Sequence, residues 1–246
     1  MTTGRRVRTV ACALIAALLV VLSIGAVWAH QVMAGDRDAA LNAWRNDAIT
    51  ITDTDVSIVM APTDVVSPTG LVFVPGAKVD PYAYLYKLSG IVEDGVTVVI
   101  TKPTLNLALA DLRPLATFTE TVPDVDRWLV GGHSLGGVKA CQYAGSDPVI
   151  GIVLFGSYCA NDLADSGLGV LSFVGENDGL STPEKIADSA TLLPDDAVTV
   201  VIPGGNHADF GDYGIQPGDG TSTTSDTDVR AIITTEFGRW LAASAG

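Results

Sequence analysis

A Gly-x-Ser-x-Gly motif, Gly132-His133-Ser134-Leu135-Gly136, offers the clearest chemistry in the chain. It stands between an apolar run that predicts a strand, 127–131, and a segment that predicts a helix, 135–144. A sharp turn from strand to helix needs the space that the two glycines leave. The same turn holds the serine hydroxyl at a helix N-terminus, where negative charge is favoured. We therefore predict that Ser134 is a nucleophile.

A serine hydroxyl is a weak nucleophile near neutral pH and needs a base, which is normally a histidine. The chain has three histidines. His30 lies at the end of an N-terminal apolar segment, and His133 adjoins the serine, where neighbouring side chains diverge. His207 follows a predicted strand, 197–202, in a loop of glycine and asparagine. It is therefore the predicted base.

The acid that orients such a base is expected between the serine and the histidine in the sequence. The predicted strand 169–174 ends in the run Gly175-Glu176-Asn177-Asp178-Gly179. We predict that Asp178 is this acid, and Glu176 is the alternative.

A serine nucleophile also needs two backbone N–H groups that receive the negative charge of the carbonyl oxygen. The residue after the nucleophile, Leu135, is the first predicted donor of this oxyanion hole. The second is expected in the turn after the predicted strand 70–74, because Gly76 lets the backbone approach the site closely. Ala77 is the predicted donor in this turn, and Lys78 is the alternative.

Apolar runs and helical patterns alternate from residue 70 onward. Continuous apolar runs predict strands that are buried on both faces. The predicted strands are 48–52, 56–60, 70–74, 97–100, 127–131, 149–155, 169–174 and 197–202. The predicted helices are 36–46, 81–88, 107–118 with an interruption near Pro114, 135–144, 183–193 and 228–243, and 217–226 predicts a polar loop. This order predicts an α/β fold with a mostly parallel central sheet, helices on both faces and an antiparallel edge from the first strands.

Four segments together resemble the α/β-hydrolase family, and within it the small single-domain serine esterases and dienelactone hydrolases. They are Phe73-Val74-Pro75-Gly76, the run 132–137, Gly175-Glu176-Asn177-Asp178 and Gly205-Asn206-His207. The resemblance covers roughly residues 70–246 and implies a triad of Ser134, His207 and Asp178. Pro75-Gly76 departs from the usual His-Gly of the family. Dienelactone hydrolases typically carry a cysteine nucleophile, so that particular activity is not implied.

The family often inserts a lid before the strand that carries the acid, but here residues 159–168 leave no room for a large cap domain. We therefore expect an open site, and the side chains expected at its border are Tyr82, Tyr84, Tyr158 and Leu180. The resemblance implies a hydrolase that acts on a small-molecule acyl substrate, a carboxylic ester, thioester or lactone, through an acyl-enzyme. Two alternatives stay open: an acyltransferase to a cell-envelope acceptor, and a non-catalytic binding module on the same fold.

The amino-acid composition limits the kinds of partner and cofactor that the protein can bind. The chain has 28 acidic and 14 basic residues and a net charge of −14, which argues against a nucleic-acid partner. Neither a cofactor nor a metal site is predicted, since three histidines and three cysteines offer few ligands. Cys141 and Cys159 could form a disulfide or remain free thiols, and the oligomeric state is left open.

The N-terminus predicts a membrane segment. Residues 9–35 contain no charged side chain, and Arg5, Arg6 and Arg8 precede them. The apolar stretch 9–29 has the length of a membrane span, and the basic residues predict that the rest of the chain lies outside the cytoplasm. We predict a signal anchor or signal peptide over 1–35 and a hydrolase domain over 36–246. The protein would sit in the plasma membrane, or be secreted if it is cleaved after Ala29.

Overall fold

The computed structural model describes residues 3–244, apart from the side chains of residues 3, 29 and 30. The chain divides into two units on either side of the bond between Val32 and Met33. The first unit consists mainly of helix α1, Thr3–His30. Its stretch Gly4–Trp28 is 25 residues long and is apolar enough to cross a membrane, a property that signal sequences share.

The second unit is built on a single sheet of eight strands. These are β1 Ile49–Asp53, β2 Ser57–Pro62, β3 Thr69–Val74, β4 Thr97–Thr101, β5 Arg127–His133, β6 Val149–Phe155, β7 Gly169–Gly175 and β8 Val198–Ile202. Their order in the sheet is β1-β2-β4-β3-β5-β6-β7-β8. The β1–β2 and β2–β4 pairs are antiparallel, and the other five pairs are parallel. The predicted mostly parallel sheet with an antiparallel edge is confirmed.

Helices cover both faces of this sheet. They are α2 Arg37–Trp44, α3 Leu85–Glu93, α4 Ala116–Thr119, α5 Leu135–Tyr143, α6 Pro183–Ser189 and α7 Asp226–Ser244. Successive side chains of a strand point to opposite faces. Leu71 and Phe73 of β3 accordingly join a core with α3 and α7, whereas Val72 and Val74 join a second core with α4 and α5. The predicted helices on both faces are confirmed.

Some predicted helix bounds were wrong. The segment 107–118 contains only a 3-10 turn, Ala108–Ala110, and the short α4. Pro114 lacks a backbone N–H and disfavours helical geometry in the residue before it, so the segment is not one helix. The helix predicted over 81–88 begins as a 3-10 turn, Pro81–Tyr84, and continues as α3 to Glu93. The helix predicted over 183–193 gives way to a 3-10 turn, Ala190–Leu192, after α6.

The connection from β6 to β7 carries no cap. Residues 156–168 contain neither helix nor strand. Within this connection, Cys159 forms a disulfide with Cys141 of α5, with the two Cα atoms 5.6 Å apart. Of the two possibilities left open by the sequence, the structure therefore has the disulfide.

Candidate active site

Ser134 occupies a strained turn between β5 and α5. Its φ of 53° and ψ of −126° lie in a region that residues with a side chain rarely adopt. Two glycines make the turn possible. A Cβ atom on Gly136 would lie 2.0 Å from the carbonyl oxygen of Val74, and one on Gly132 would lie 2.5 Å from the carbonyl carbon of Gly136. The turn therefore has the tight geometry that a nucleophile elbow requires.

Asp178 and His207 meet beyond the ends of β7 and β8. The Nδ1 atom of His207 lies 2.8 Å from Oδ2 of Asp178. The other carboxylate oxygen accepts the backbone N–H groups of Leu180 and Ser181, at 2.8 and 2.7 Å. Because a carboxylate accepts, Nδ1–H of a neutral His207 donates, and Nε2 keeps its lone pair. Nε2 is buried and has no hydrogen-bond partner among the described residues, so it is available as a base.

Glu176, the alternative acid, is used differently. Its side chain is exposed, and Oε2 accepts the backbone N–H of Gly204 at 2.7 Å. This bond fixes the turn that follows β8, ahead of the loop that carries His207. The structure therefore brings Asp178, and not Glu176, to the imidazole.

The turn after β3 distinguishes the candidate oxyanion donors. The N–H of Lys78, the alternative, donates to the carbonyl oxygen of Asn106 at 2.7 Å. The N–H of Gly76 donates to the Tyr84 hydroxyl at 2.9 Å. The N–H groups of Ala77 and Leu135 have no acceptor within residues 3–244. Of the amides considered in this turn, only that of Ala77 remains available, and it can act together with that of Leu135.

His133 lies beneath the site. Its side chain is fully buried, and its Nδ1 atom is 2.9 Å from the Tyr84 hydroxyl. Its ring centroid is 4.4 Å from that of His207. Burial, with a smaller contribution from the nearby His207, holds the pKa of His133 well below its ordinary value. His133 is therefore a neutral neighbour of the candidate base.

Two expectations about the border of the site were wrong. Tyr84 is fully buried and cannot border an open cleft. The Tyr82 hydroxyl donates to Asp53 at the end of β1, which is an edge strand of the sheet. Tyr158 and Leu180 are half-buried, so they remain candidates for the border.

One carboxylate that positions the site was missed in the sequence. Asp219 lies in the segment 217–226, which predicted only a polar loop. Its Oδ1 atom accepts the N–H groups of His207 and Gly179, both at 3.1 Å, and that of Gly220 at 2.7 Å. Its Oδ2 atom accepts the N–H of Ala208 at 2.9 Å. Asp219 thereby ties the loop of the candidate base to the loop of the candidate acid.

Backbone strain is concentrated around the site. Within residues 3–244, four residues other than glycine have a positive φ: Lys78, Leu105, Asn106 and Ser134. Lys78 and Asn106 are joined by their backbone hydrogen bond, and Lys78 follows the candidate donor Ala77. Strained residues of this kind persist where the surrounding structure fixes them, and they are common at functional sites.

Among the described residues, no group of three or more histidine, cysteine, aspartate or glutamate side chains is arranged to hold a metal ion.

Comparison with known proteins assigns the family. Residues 70–231 match the alpha/beta hydrolase family, and this match covers more than half of the chain. The protein therefore belongs to the α/β-hydrolase family. No curated protein matches the sequence significantly.

Two solved structures illustrate the fold. TT1662 from Thermus thermophilus is 14% identical and aligns with 78% of this chain and 98% of its own, with a TM-score of 0.57. A thermophilic esterase from Thermogutta terrifontis is 15% identical and aligns with 80% of this chain and 97% of its own, with a TM-score of 0.53. At these identities the likeness shows a shared fold.

Proposed function

We propose that this protein hydrolyses carboxylic esters, thioesters or lactones, with Ser134 as nucleophile, His207 as base and Asp178 as the orienting acid. The observation that carries the proposal is the buried contact of 2.8 Å between His207 and Asp178, which leaves Nε2 of His207 available. This pair lies at the same sheet edge as the strained turn of Ser134. The esterase activity named for the Thermogutta terrifontis structure agrees with this reaction class.

The proposed reaction begins when Ser134 Oγ attacks the acyl carbon and its proton passes to Nε2 of His207. The carbonyl electrons move to the oxygen, which the N–H groups of Leu135 and Ala77 receive. Asp178 stabilises the imidazolium and does not take the proton. The tetrahedral intermediate then collapses, and the leaving alcohol takes the proton from Nε2. Water then attacks the acyl carbon while Nε2 of His207 takes its proton. The bond from the acyl carbon to Ser134 Oγ breaks, Nε2 returns the proton to Oγ, and the acid leaves.

Nε2 of His207 has no partner among residues 3–244 in the free structure. The proposal therefore requires the bond between Ser134 Oγ and His207 Nε2 to form when substrate binds. Catalytic hydrogen bonds are often long in free enzymes and tighten in the complex.

Covalent labelling tests the proposal. The full chain, purified in detergent, is treated with a fluorophosphonate probe and mapped by mass spectrometry, with p-nitrophenyl acetate as the activity probe. We expect label on Ser134, and Ser134→Ala should lose both the label and at least about 10³-fold of kcat. Ser166→Ala, at an exposed serine, is the matched control and should behave as the wild type. Folded wild-type protein that takes no label would refute the proposal and favour a binding module.

Hydrolysis and acyl transfer differ only in the acceptor that attacks the acyl-enzyme. Product analysis in the presence of 1-butanol separates them. Acetic acid as the main product supports the hydrolase, whereas butyl acetate as the main product supports the acyltransferase.

We also propose that residues 1–35 anchor the hydrolase domain, 36–246, in the plasma membrane and outside the cytoplasm. Three observations support this. The apolar helix Gly4–Trp28 is long enough to span a bilayer, basic residues stand at its start, and the Cys141–Cys159 disulfide suits an oxidising compartment. Membrane fractionation with protease accessibility tests the location, and N-terminal sequencing separates a retained anchor from a cleaved signal peptide.

A further inference from the structure

The proposed reaction leaves one buried imidazole without a role. His133 is fully buried and lies within a cluster of aromatic rings. Its ring centroid is 4.4 Å from that of His207, 5.8 Å from that of Phe210, 5.9 Å from that of Tyr84 and 6.1 Å from that of Tyr213. A polar ring in such a position is costly to bury unless it is hydrogen-bonded.

The Tyr84 hydroxyl makes two buried hydrogen bonds. A hydroxyl has one hydrogen and two lone pairs. The N–H of Gly76 can only donate, so the Tyr84 oxygen accepts it, at 2.9 Å. The second contact of the Tyr84 oxygen is with Nδ1 of His133, also at 2.9 Å, and the tautomer of the imidazole decides which of the two atoms donates. This phenol therefore joins the turn that precedes Ala77 to the residue that precedes Ser134.

The contact of the Gly76 turn with Tyr84 and His133 leaves no space for a side chain on Gly76. A Cβ atom on Gly76 would lie 2.8 Å from Nδ1 of His133 and 3.2 Å from the Tyr84 oxygen. Only glycine therefore lets the turn reach the pair without displacing it. The peptide of Gly76 is held between the phenol on one side and β3 on the other, and this sets where the next N–H, that of Ala77, can point.

We propose that Tyr84 and His133 are positioning residues, which hold the Ala77 amide and the His207 ring in place for the attack by Ser134. This inference rests on the proposed function. The Tyr84 hydroxyl fixes the oxyanion turn through Gly76, and His133 supports the ring of His207 by direct contact. Neither side chain gains or loses a bond or a proton in the proposed reaction.

The charge of His133 fits this role. A neutral imidazole carries one ring hydrogen, so its Nδ1 atom either donates to the Tyr84 oxygen or accepts from it, and both tautomers keep the link. Burial keeps the pKa of His133 well below its ordinary value, and the neighbouring His207 adds to the effect. When His207 becomes an imidazolium during the reaction, it therefore meets a neutral ring and not a second positive charge.

Substitutions at both ends of the link test the proposal. The full chain in detergent is assayed with p-nitrophenyl acetate, and kcat is expressed per active site titrated with the fluorophosphonate. Removal of an oxyanion donor costs about 10²–10³-fold in kcat, so its displacement should cost about tenfold. We expect this loss in Tyr84→Phe and in His133→Leu, with KM changed by less than about twofold. The double variant should lose no more than His133→Leu alone, because Tyr84→Phe removes only the link that His133→Leu already breaks.

A rescue and a control complete the design. His133→Asn can place Oδ1 near the position of Nδ1, and we expect it to keep kcat within about threefold of the wild type. Tyr86→Phe removes a phenol from α3 that bonds Thr227 instead, and it should leave kcat unchanged. A Tyr84→Phe variant that loses thermal stability but keeps the wild-type kcat per titrated site would overturn the proposal. Failure of the wild type to label at Ser134 would instead overturn the proposed function.

Discussion

Asp219 provides a stringent test of how the candidate base is held. It accepts backbone N–H groups from the loops of both His207 and Asp178. The substitution Asp219→Ala removes these bonds and leaves the triad side chains untouched. Any loss of activity would therefore arise from the placement of the loop.

The magnitude follows from the bonds that are lost. Two of them, to the N–H groups of His207 and Ala208, hold the loop of the base directly, at 3.1 and 2.9 Å. Asp219 is half-buried, and water can replace it in part, so we assign about 1 kcal/mol to each bond. Together they favour the ordered loop by about 2 kcal/mol, or roughly 30-fold. We expect kcat of Asp219→Ala to fall by about this factor, with little change in KM.

The assay is hydrolysis of p-nitrophenyl acetate by the full chain in detergent, combined with thermal unfolding. In Asp219→Asn, the remaining oxygen can still accept the N–H of His207. The new amide NH2 faces the N–H of Ala208, which it cannot accept. This variant should therefore lose less, about fivefold. Asp195→Ala removes the same charge from an exposed side chain and is the matched control. A folded Asp219→Ala variant with wild-type kcat would refute the reasoning.

Three further predictions concern stability, each measured by thermal unfolding of the full chain in detergent. Gly136→Ala forces a Cβ atom to within 2.0 Å of a carbonyl oxygen, so Tm should fall by about 5–10 °C, whereas Gly145→Ala meets no atom within 4 Å and should leave Tm unchanged. Reduction of the Cys141–Cys159 disulfide, whose cysteines are 18 residues apart, should cost about 3 kcal/mol, and a variant with serine at both positions should not respond to the reductant. Burial raises the pKa of Asp212 to about 6, so its protonated form stabilises the fold below about pH 4 and this stability is lost as pH rises through 6. Asp212→Asn should not lose this stability as the pH rises. In the wild type the loss amounts to at most about 3 kcal/mol. An equal loss in both proteins would contradict the assignment of the pH dependence to Asp212.

The sheet could be predicted from the sequence because a strand that is buried on both faces needs apolar residues at every position. Both β3 and β4 are buried along their whole length, so their sequences are continuous apolar runs. The strands that carry the site begin and end within about two residues of the predicted positions. The helix predicted over 107–118 was wrong because a proline outweighed the apolar pattern around it.

Part of the candidate site could also be predicted from the sequence. Ser134 was predicted because a tight turn demands glycines at fixed spacing, and His207 because few histidines were available. The order of the elements along the chain narrowed the acid to two residues in one loop. The structure then placed Asp178, and not Glu176, beside the imidazole. These assignments depend on local geometry or on elimination, and both can be read from a sequence.

Asp219 and Tyr84 could not be predicted in this way. Asp219 contacts residues 11 and 12 positions before it, and also Gly179, which is 40 positions away. Tyr84 meets His133 across 49 positions. In the sequence, the aspartate belongs to a polar loop and the tyrosine to an amphipathic segment. Their roles depend on which loops the sheet brings together, and no local pattern records that.

The strained residues around the site carry a consequence for the evolution and engineering of this protein. Ser134, Lys78, Leu105 and Asn106 hold conformations that each cost about 1–3 kcal/mol. Selection for heat resistance alone would favour glycine at such positions, because glycine accepts a positive φ without penalty. Glycine at position 134 would remove the proposed nucleophile, and glycine at position 78 would loosen the turn of the proposed donor Ala77. The conformations that lower stability at these residues are therefore the ones that the catalytic rate requires. Variants that gain thermal stability at these positions should be the slower catalysts.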